Sequence, residues 1–214
     1  MEESYQRHLP HWIPQGHPIF LTWNLKGALP ARRIVELRTE RERLERQPPA
    51  AGESEPERRR RIGKLMFGRV DRILDAGAGG PLDLKDPMNA SIIRNKILDG
   101  AVDRYDLLAW CVMANHVHVF LTPLEKLAKI TQGLKGGTAF AINGRQGQRG
   151  RVFWQDESFD HWARDADEVI RIIRYIENNP AAAGLCRRPA DWPWSSAAIR
   201  DDWPVGRPCR PKPQ

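Results

Sequence analysis

The amino-acid sequence predicts an α+β fold in which an antiparallel sheet carries helices on one face. Two observations support this prediction. The predicted elements follow the order strand, helices, hairpin, helix, strand, helix, so helices and strands do not alternate one for one. Two apolar segments in the middle of the chain are separated only by Ala114-Asn115, which predicts a hairpin. The apolar runs are far too short to cross a bilayer.

The first part of the chain predicts one strand followed by charged helices. An irregular leader over 1–17 precedes a β-branched and aromatic strand over 18–24. A charged helix over 31–47 leads through a Pro- and Gly-containing linker to a second helix over 61–74. Residues 38–80 are therefore predicted to form a charged helical insertion or arm, packed less well than the rest of a single 1–214 domain.

The second part of the chain predicts the hairpin between helices that are bounded by capping residues and prolines. In order, its elements are a helix from Asp86 to about Asp99 with Pro87 in its first turn, strands over 105–113 and 116–122, a helix over 124–143 that Gly136-Gly137 can interrupt, an irregular strand or loop over 152–162, a last helix capped by Asp165 with Glu168 in a capping box and ended at Pro180, and a Pro- and Trp-rich tail over 187–214.

Composition favours a nucleic-acid partner without proving one. The 214-residue chain has a net charge of +7 and eight tryptophans, which can stack on unpaired bases or fill a core. The arginine run at 58–61 fits DNA contact or a solvated helix face equally well.

Three scattered cysteines do not predict disulfides. The acidic N-terminus predicts no signal peptide, so we expect a cytoplasmic, nucleoid-associated protein.

The segment Asn115-His116-Val117-His118 carries the first candidate for chemistry. Side chains two residues apart in a strand point to the same face, so His116 and His118 project side by side and can share one metal ion. Val117 then points into the core on the other face. The alternative is two unrelated histidines on a solvated face, and the motif alone favours that alternative.

The segment Tyr175-Ile176-Glu177-Asn178-Asn179-Pro180 is the second candidate. Its helix has an apolar stripe that excludes Tyr175, and Asn179 lies one turn later on the same face as Tyr175. A hydroxyl nucleophile and an amide oxygen are then presented together. The alternative to a catalytic pair is a tyrosine at the boundary of the core beside an asparagine that caps the C-terminus of the helix.

Taken together, these residues resemble the IS200-like transposases of the HUH superfamily, and within them the REP-associated tyrosine transposases. The resemblance covers about 18–30 and 86–200, and Ala114 replaces the proline that usually precedes Asn-His-Val-His. The matching segments, in family order, are 105–122 with Met113-Ala114-Asn115-His116-Val117-His118, then Val152-Phe153-Trp154-Gln155, then 174–185 around Tyr175, and Trp192-Pro193-Trp194-Ser195-Ser196.

The resemblance implies a ferredoxin-like domain that cleaves single-stranded or hairpin DNA. It implies that His116 and His118 bind a divalent metal, Mg²⁺ or Mn²⁺, with Asn179 as third ligand. It also implies that Tyr175 attacks the scissile phosphate and leaves a 5′-phosphotyrosine and a 3′-hydroxyl. A metal offsets charge on the phosphoryl oxygens, which makes this chemistry physically reasonable. The resemblance leaves monomer and homodimer both open.

Two other functions stay open on the sequence. One is a non-catalytic nucleic-acid-binding module of the same fold, and the other is a metal-dependent nuclease that uses water. Several basic residues and one tryptophan are also predicted to contact DNA. The alternative is a solvated face for the basic residues and a core position for the tryptophan. These residues are Lys126, Lys129, Lys135, Arg145, Arg149, Arg151 and Trp154.

Overall fold

The computed structural model describes residues 16–77, 79–156 and 158–202, so most of the predicted leader and the end of the predicted tail lie outside it. Its strands are β1 (Ile19–Asn24), β2 (Tyr105–Val112), β3 (His116–Pro123) and β4 (Phe159–Trp162). They form one sheet in the order β2-β3-β1-β4, and neighbouring strands are antiparallel. The predicted α+β class with an antiparallel sheet is confirmed.

Strands β2 and β3 form the predicted hairpin. The amide of Met113 donates to the carbonyl of His116 at 2.9 Å, which closes the turn at Ala114-Asn115. Strand β1 lies on the other side of β3, with Thr22 opposite His118 and Asn24 opposite His116. Directly opposed residues share a face of the sheet. Strand β1 therefore places polar side chains beside both histidines.

The helices have the predicted order, with bounds that differ by a few residues and, in the second helix, with an earlier start. None in the described part of the chain is both long and apolar enough to cross a membrane. The second begins at residue 55 instead of 61 because Ser54 and Glu57 form a capping box there. The helices are α1 (Ala31–Arg46), α2 (Glu55–Asp75), α3 (Pro87–Gly100), α4 (Leu127–Arg145, uninterrupted at Gly136-Gly137) and α5 (Ala166–Ala182), with short 3₁₀ turns at 83–85, 189–191 and 196–202.

Helices cover both faces of the sheet, whereas the sequence predicts one face. Helices α3 and α4 pack on the face that carries Val117 and Val119, as predicted for Val117. Helix α5 packs on the opposite face against Phe20 and Phe120, with Phe67 of α2 beside it. The second face also needs a cover because it carries apolar residues such as Phe20 and Phe120 besides the polar group around the histidines.

The predicted insertion, 38–80, contains the second half of α1 and all of α2, and α2 packs against the sheet. Arg69 of α2 pairs with Glu40 of α1 at 2.8 Å, which joins the two helices. The ring of Phe67 stacks on that of Phe159 in β4, with centroids 4.2 Å apart. Asn115 donates to the carbonyl of Leu74 at 2.8 Å. The boundaries of the insertion stay a prediction, but its second helix is held firmly beside the hairpin turn.

Helix α5 begins where predicted and ends later. Asp165 accepts from the amide of Glu168 at 2.6 Å, which confirms the cap. The prediction that Pro180 ends the helix is wrong by two residues. A proline in the last turn removes a single amide donor, and the amide of Ala183 still donates to the carbonyl of Asn179 at 2.9 Å.

Glu168 joins α2, β4 and α5, so we expect its loss to destabilise the fold. Burial raises the pKa of Glu168, but hydrogen bonds from His161, Lys64 and the Arg164 amide outweigh it and hold the pKa at about 2. Because the folded pKa is lowered from 4.5, the stabilisation is present above about pH 4.5 and disappears toward pH 2. Glu168→Gln should lower the free energy of unfolding at pH 7 by about 1–3 kcal/mol. Urea unfolding at pH 7 and pH 3 tests this, and an equal loss at both values contradicts it.

Candidate active site

The two histidines lie on one face of β3, and both side chains are completely buried. Their Nε2 atoms are 3.0 Å apart. They lie beneath α2 and α5, not on a solvated surface. This geometry excludes the alternative of two unrelated, solvent-facing histidines.

The neighbouring hydrogen bonds determine the tautomer of His116. The amide nitrogen of Asn115 donates to the carbonyl of Leu74, so its Oδ1 faces His116 Nδ1 at 2.7 Å. Because a carboxamide oxygen only accepts, Nδ1 of His116 carries the hydrogen. The Nε2 atom of His116 is then left with a lone pair.

His118 has the same tautomer. The amide nitrogen of Asn179 donates to His118 Nε2 at 3.1 Å, while Nδ1 lies 2.7 Å from Thr22 Oγ1, which can accept its hydrogen. Burial lowers the pKa of both histidines to about 3, so both imidazoles are neutral at pH 7. Both Nε2 lone pairs therefore face the same small space, and the lone pair of His118 accepts a hydrogen bond from Asn179 there. Two acceptor atoms this close repel each other, and a cation that binds both would relieve that repulsion.

Asp71 of α2 completes this group, although it is not among the site residues that the sequence predicts. Its Oδ1 lies 3.6 Å from His116 Nε2 and 3.5 Å from His118 Nε2, and has no hydrogen-bond partner. Its Oδ2 accepts from the Tyr175 hydroxyl and, at 3.2 Å, from the Asn179 amide. One sequence signal exists, because Asp71 interrupts the apolar stripe formed by Phe67 and Leu74.

A second aspartate of α2 lies one turn further on. Asp75 Oδ1 is 3.7 Å from His116 Nε2 and is also buried without a partner. Burial, and then repulsion from Asp71, raises the pKa of Asp75 to about 7. Because this pKa lies near 7, Asp75 is partly protonated at neutral pH, and a cation bound beside it would favour its charged form.

Tyr175 lies at the outer edge of the group and is 39% exposed. Its ring packs against the rings of Phe20 and Phe67, each with centroids 6.0 Å away. Burial and the Asp71 carboxylate raise the pKa of the Tyr175 hydroxyl well above its ordinary value. The hydroxyl is therefore protonated at neutral pH and donates to Asp71.

These residues fit a divalent cation. Asp71, His116 and His118 form the one group of three or more potential metal ligands found within 16–77, 79–156 and 158–202, with ligand atoms within 4.8 Å of one another. Buried oxygens without partners on Asp71, Asp75 and Asn179 add further donor atoms. Asn179 was predicted as third ligand and does lie here, although its amide nitrogen is the atom that contacts His118.

The residues predicted to contact DNA lie between the N-terminal cap of α4 and Trp154, and α4 covers the face of the sheet opposite the histidines. Trp154 is buried and donates to Thr138 Oγ1 at 3.0 Å, which favours its core alternative. Lys135 donates to the carbonyls of Gln155 and Asp156. Arg145 and Arg151 pair with Asp86 and Asp83, and Lys126, Lys129 and Arg149 are exposed. Helix α4 is about 28 Å long, so these cations do not form one patch.

The chain is similar to known proteins in part of its sequence and in its fold. Residues 91–179 match a family model described as IS200-like transposase, a segment that includes both histidines, Tyr175 and Asn179 but excludes α2. A solved structure described as a REP-associated tyrosine transposase bound to a REP hairpin shares the fold, with a TM-score of 0.57 and 16% identity over 94% of this chain and 88% of that chain. No curated protein sequence matches the chain. The predicted resemblance to the IS200-like transposases is thus confirmed, over residues 91–179 in sequence and over nearly the whole chain in fold.

Proposed function

We propose that this protein is a metal-dependent single-strand DNA endonuclease and strand transferase, a tyrosine transposase in which Tyr175 is the nucleophile. One observation carries the proposal. The Tyr175 hydroxyl donates to a carboxylate, Asp71, whose other oxygen lies against the lone pairs of His116 and His118. The side chain of Asp71 therefore links the proposed nucleophile, Tyr175, to the proposed cation site at His116 and His118.

The cation is assigned to His116, His118 and Asp71, with Asn179 beside them. A mixed set of imidazole and carboxylate or amide oxygen suits Mg²⁺ or Mn²⁺, and the imidazoles favour Mn²⁺ of the two. When bound, the metal supplies Lewis-acid stabilisation of the negative charge that develops on the phosphoryl oxygens. It also balances the charge of the Asp71 and Asp75 carboxylates.

In the cleavage step, the phenolic oxygen of Tyr175 forms a bond to phosphorus as the bond from phosphorus to the 3′ oxygen breaks. The hydroxyl proton leaves along its hydrogen bond toward Asp71 Oδ2, and the departing 3′ oxygen takes up a proton to become a 3′-hydroxyl. The product is a 5′-phosphotyrosine. Attack of a 3′-hydroxyl on that link reverses the step and rejoins strands.

Hairpin-associated DNA is the proposed substrate. The support is the net charge of +7 and the shared fold with a protein that was solved bound to a REP hairpin. The proposed partner is therefore DNA in the cytoplasm or nucleoid, and the protein is proposed to act on it as a monomer or a homodimer.

A water-using nuclease is the second candidate. Asp71 supplies the carboxylate that such a site needs and that the sequence motifs lack. This candidate makes no use of Tyr175, whose hydroxyl is nevertheless held against the metal-ligand group.

The test is to incubate the protein with Mn²⁺ and labelled single-stranded hairpins from the DNA that flanks its gene, and to separate the products on denaturing gels. We expect a covalent protein–DNA band that EDTA prevents, with the adduct on Tyr175 by peptide mass spectrometry. Metal-dependent cleavage without an adduct indicates the water-using nuclease. Binding without cleavage indicates the non-catalytic module.

A further inference from the structure

The predicted tail lies along the outer edge of β2. The amide of Val112 donates to the carbonyl of Trp194 at 2.8 Å, and Cys111 pairs with Ser195 in an antiparallel bridge. The indole of Trp192 donates to the carbonyl of Val112 at 3.0 Å. These contacts satisfy backbone groups at the edge of the sheet, so the residues that follow in the tail start from a fixed position.

Two polar side chains that follow meet a carboxylate of α5. Ser196 is completely buried, and its hydroxyl accepts from the amide of Trp110 at 3.2 Å and donates to Glu177 at 2.7 Å. Arg200 donates to the same Glu177 oxygen through Nε, at 2.8 Å, and through Nη2. The side chains of Arg200 and Glu177 are only 15% and 13% exposed. Glu177, Ser196 and Arg200, termed the Glu177 network, therefore form a largely buried group with charge-assisted hydrogen bonds.

The Glu177 network is also joined to the backbone of β2 at a bulge. The register of β2 against β3 shifts between Leu107 and Ala109, so Leu108 is an extra residue in the strand. An extra residue stays unpaired in the ladder. Arg200 donates to the carbonyl of Leu108 at 3.3 Å. Arg200 therefore connects α5 to one specific point of the sheet.

Glu177 lies on the opposite flank of α5 from Tyr175 and Asn179. At about 100° per residue, Glu177 is about 200° from Tyr175, whereas Asn179 is only about 40° from Tyr175. Asp71 of α2 accepts from both Tyr175 and Asn179 on their flank. Helix α5 is thus held by α2 on one side and by the tail on the other. These directional bonds fix the rotation of α5 about its axis, which non-directional apolar packing leaves adjustable.

We infer that Ser196 and Arg200 are positioning residues for the proposed nucleophile. By holding Glu177, they fix the rotation of α5 and with it the place of Tyr175 beside the cation site. The inference rests on the proposed function and adds the residues that hold its nucleophile in place. It also gives a role in the site to the tail, which lies outside the family match over residues 91–179.

A small rotation of α5 is enough to matter. A side-chain tip about 6 Å from a helix axis moves by about 1 Å when the helix turns by about 10°. Misplacement of a reacting group by about 1 Å can cost about 100-fold in rate. Loss of the Glu177 network should therefore slow the chemical step without removing any group that contacts DNA or metal.

The first test compares Arg200→Gln with Arg104→Gln. Arg104 also donates to one carboxylate, Glu125, and to one backbone carbonyl, that of Lys129, but it lies beside α4. Both variants lose one positive charge and one ion pair, so the effects of charge and of lost bonds are matched. The measurements are the rate of adduct formation with Mn²⁺ at saturating single-stranded hairpin, and the DNA concentration that gives half that rate.

We expect Arg200→Gln to lower the saturated rate by about 10–100-fold and to leave the half-saturating DNA concentration within about twofold of wild type. Arg104→Gln should keep both values. A wild-type rate in Arg200→Gln, or an equal loss of rate in Arg104→Gln, overturns the inference. Ser196→Ala removes a donor to Glu177 without a change in charge, and it decides the question if Arg200→Gln does not fold. It should lower the saturated rate by about tenfold, and a wild-type rate in that variant overturns the inference.

The second test needs neither DNA nor metal. A double-mutant cycle of Tyr175→Phe and Asp71→Ala measures, in the free energy of unfolding, how strongly these two side chains interact. In the Arg200→Gln background we expect this coupling to fall by at least about half, because α5 no longer holds Tyr175 at one position against Asp71. In the Arg104→Gln background the coupling should stay as in wild type. An unchanged coupling in the Arg200→Gln background overturns the inference.

Failure of the inference and failure of the proposed function give different results. If the wild-type protein forms no adduct but the coupling falls in the Arg200→Gln background, the tail positions Tyr175 and the proposed chemistry is wrong. If the adduct forms on Tyr175 while Arg200→Gln and Ser196→Ala form it at the wild-type rate, the chemistry stands and the positioning role is wrong.

Discussion

Tyr175→Phe is expected to abolish the covalent protein–DNA adduct and to slow strand cleavage by at least about 10⁴-fold. The substitution removes the phenolic oxygen and keeps the ring that packs against Phe20 and Phe67. Binding of single-stranded DNA should therefore survive. The measurement is a time course of adduct formation with Mn²⁺ on denaturing gels, together with binding under metal-free conditions.

The matched control for this variant is Tyr105→Phe. The hydroxyl of Tyr105 is buried and donates to the carbonyl of Ile97 at 2.6 Å, far from the histidines in the fold. Its loss should lower the free energy of unfolding by about 1 kcal/mol and leave the adduct intact. An adduct that persists in Tyr175→Phe, or that disappears equally in Tyr105→Phe, contradicts the assignment of the nucleophile.

Asp71→Asn is expected to weaken Mn²⁺ binding by at least about 100-fold, since even residues behind the ligands change metal affinity by 10–100-fold. Asparagine preserves the shape of the side chain but removes the charge from the oxygen near both histidines. Isothermal titration of Mn²⁺ into the metal-free protein measures the loss. Metal-induced stabilisation against heat should shrink in parallel.

Asp75→Asn separates a ligand effect from a general effect of charge. Asp75 Oδ1 approaches only His116, at 3.7 Å, whereas Asp71 Oδ1 approaches both histidines. We therefore expect a smaller loss of affinity in Asp75→Asn. The metal-free Asp71→Asn protein should be at least as stable as wild type, because repulsion between the two aspartates is relieved. Equal affinities in the two variants indicate that Asp71 acts only through charge.

Local patterns made several features predictable. The spacing of two in His116-Val117-His118 determines that both imidazoles share a face of a strand. The spacing of four between Tyr175 and Asn179 places these side chains together on one helix. The two residues between β2 and β3 predict the hairpin, and the cap at Asp165 predicts the start of α5. Each of these depends on neighbours in sequence, so the sequence by itself determined them.

Asp71 needed the tertiary structure, because it contacts His116, His118 and Tyr175 across 45 to 104 positions of the chain. No periodicity within α2 specifies which element that helix covers. The same limit explains why the sequence predicts helices on only one face of the sheet, and why it leaves both DNA contact and the core open for Trp154. The sequence determined which side chains lie together within each element. Only the packing of α2 and α5 over β3 decided which elements meet, because that packing depends on burying apolar surface from distant parts of the chain.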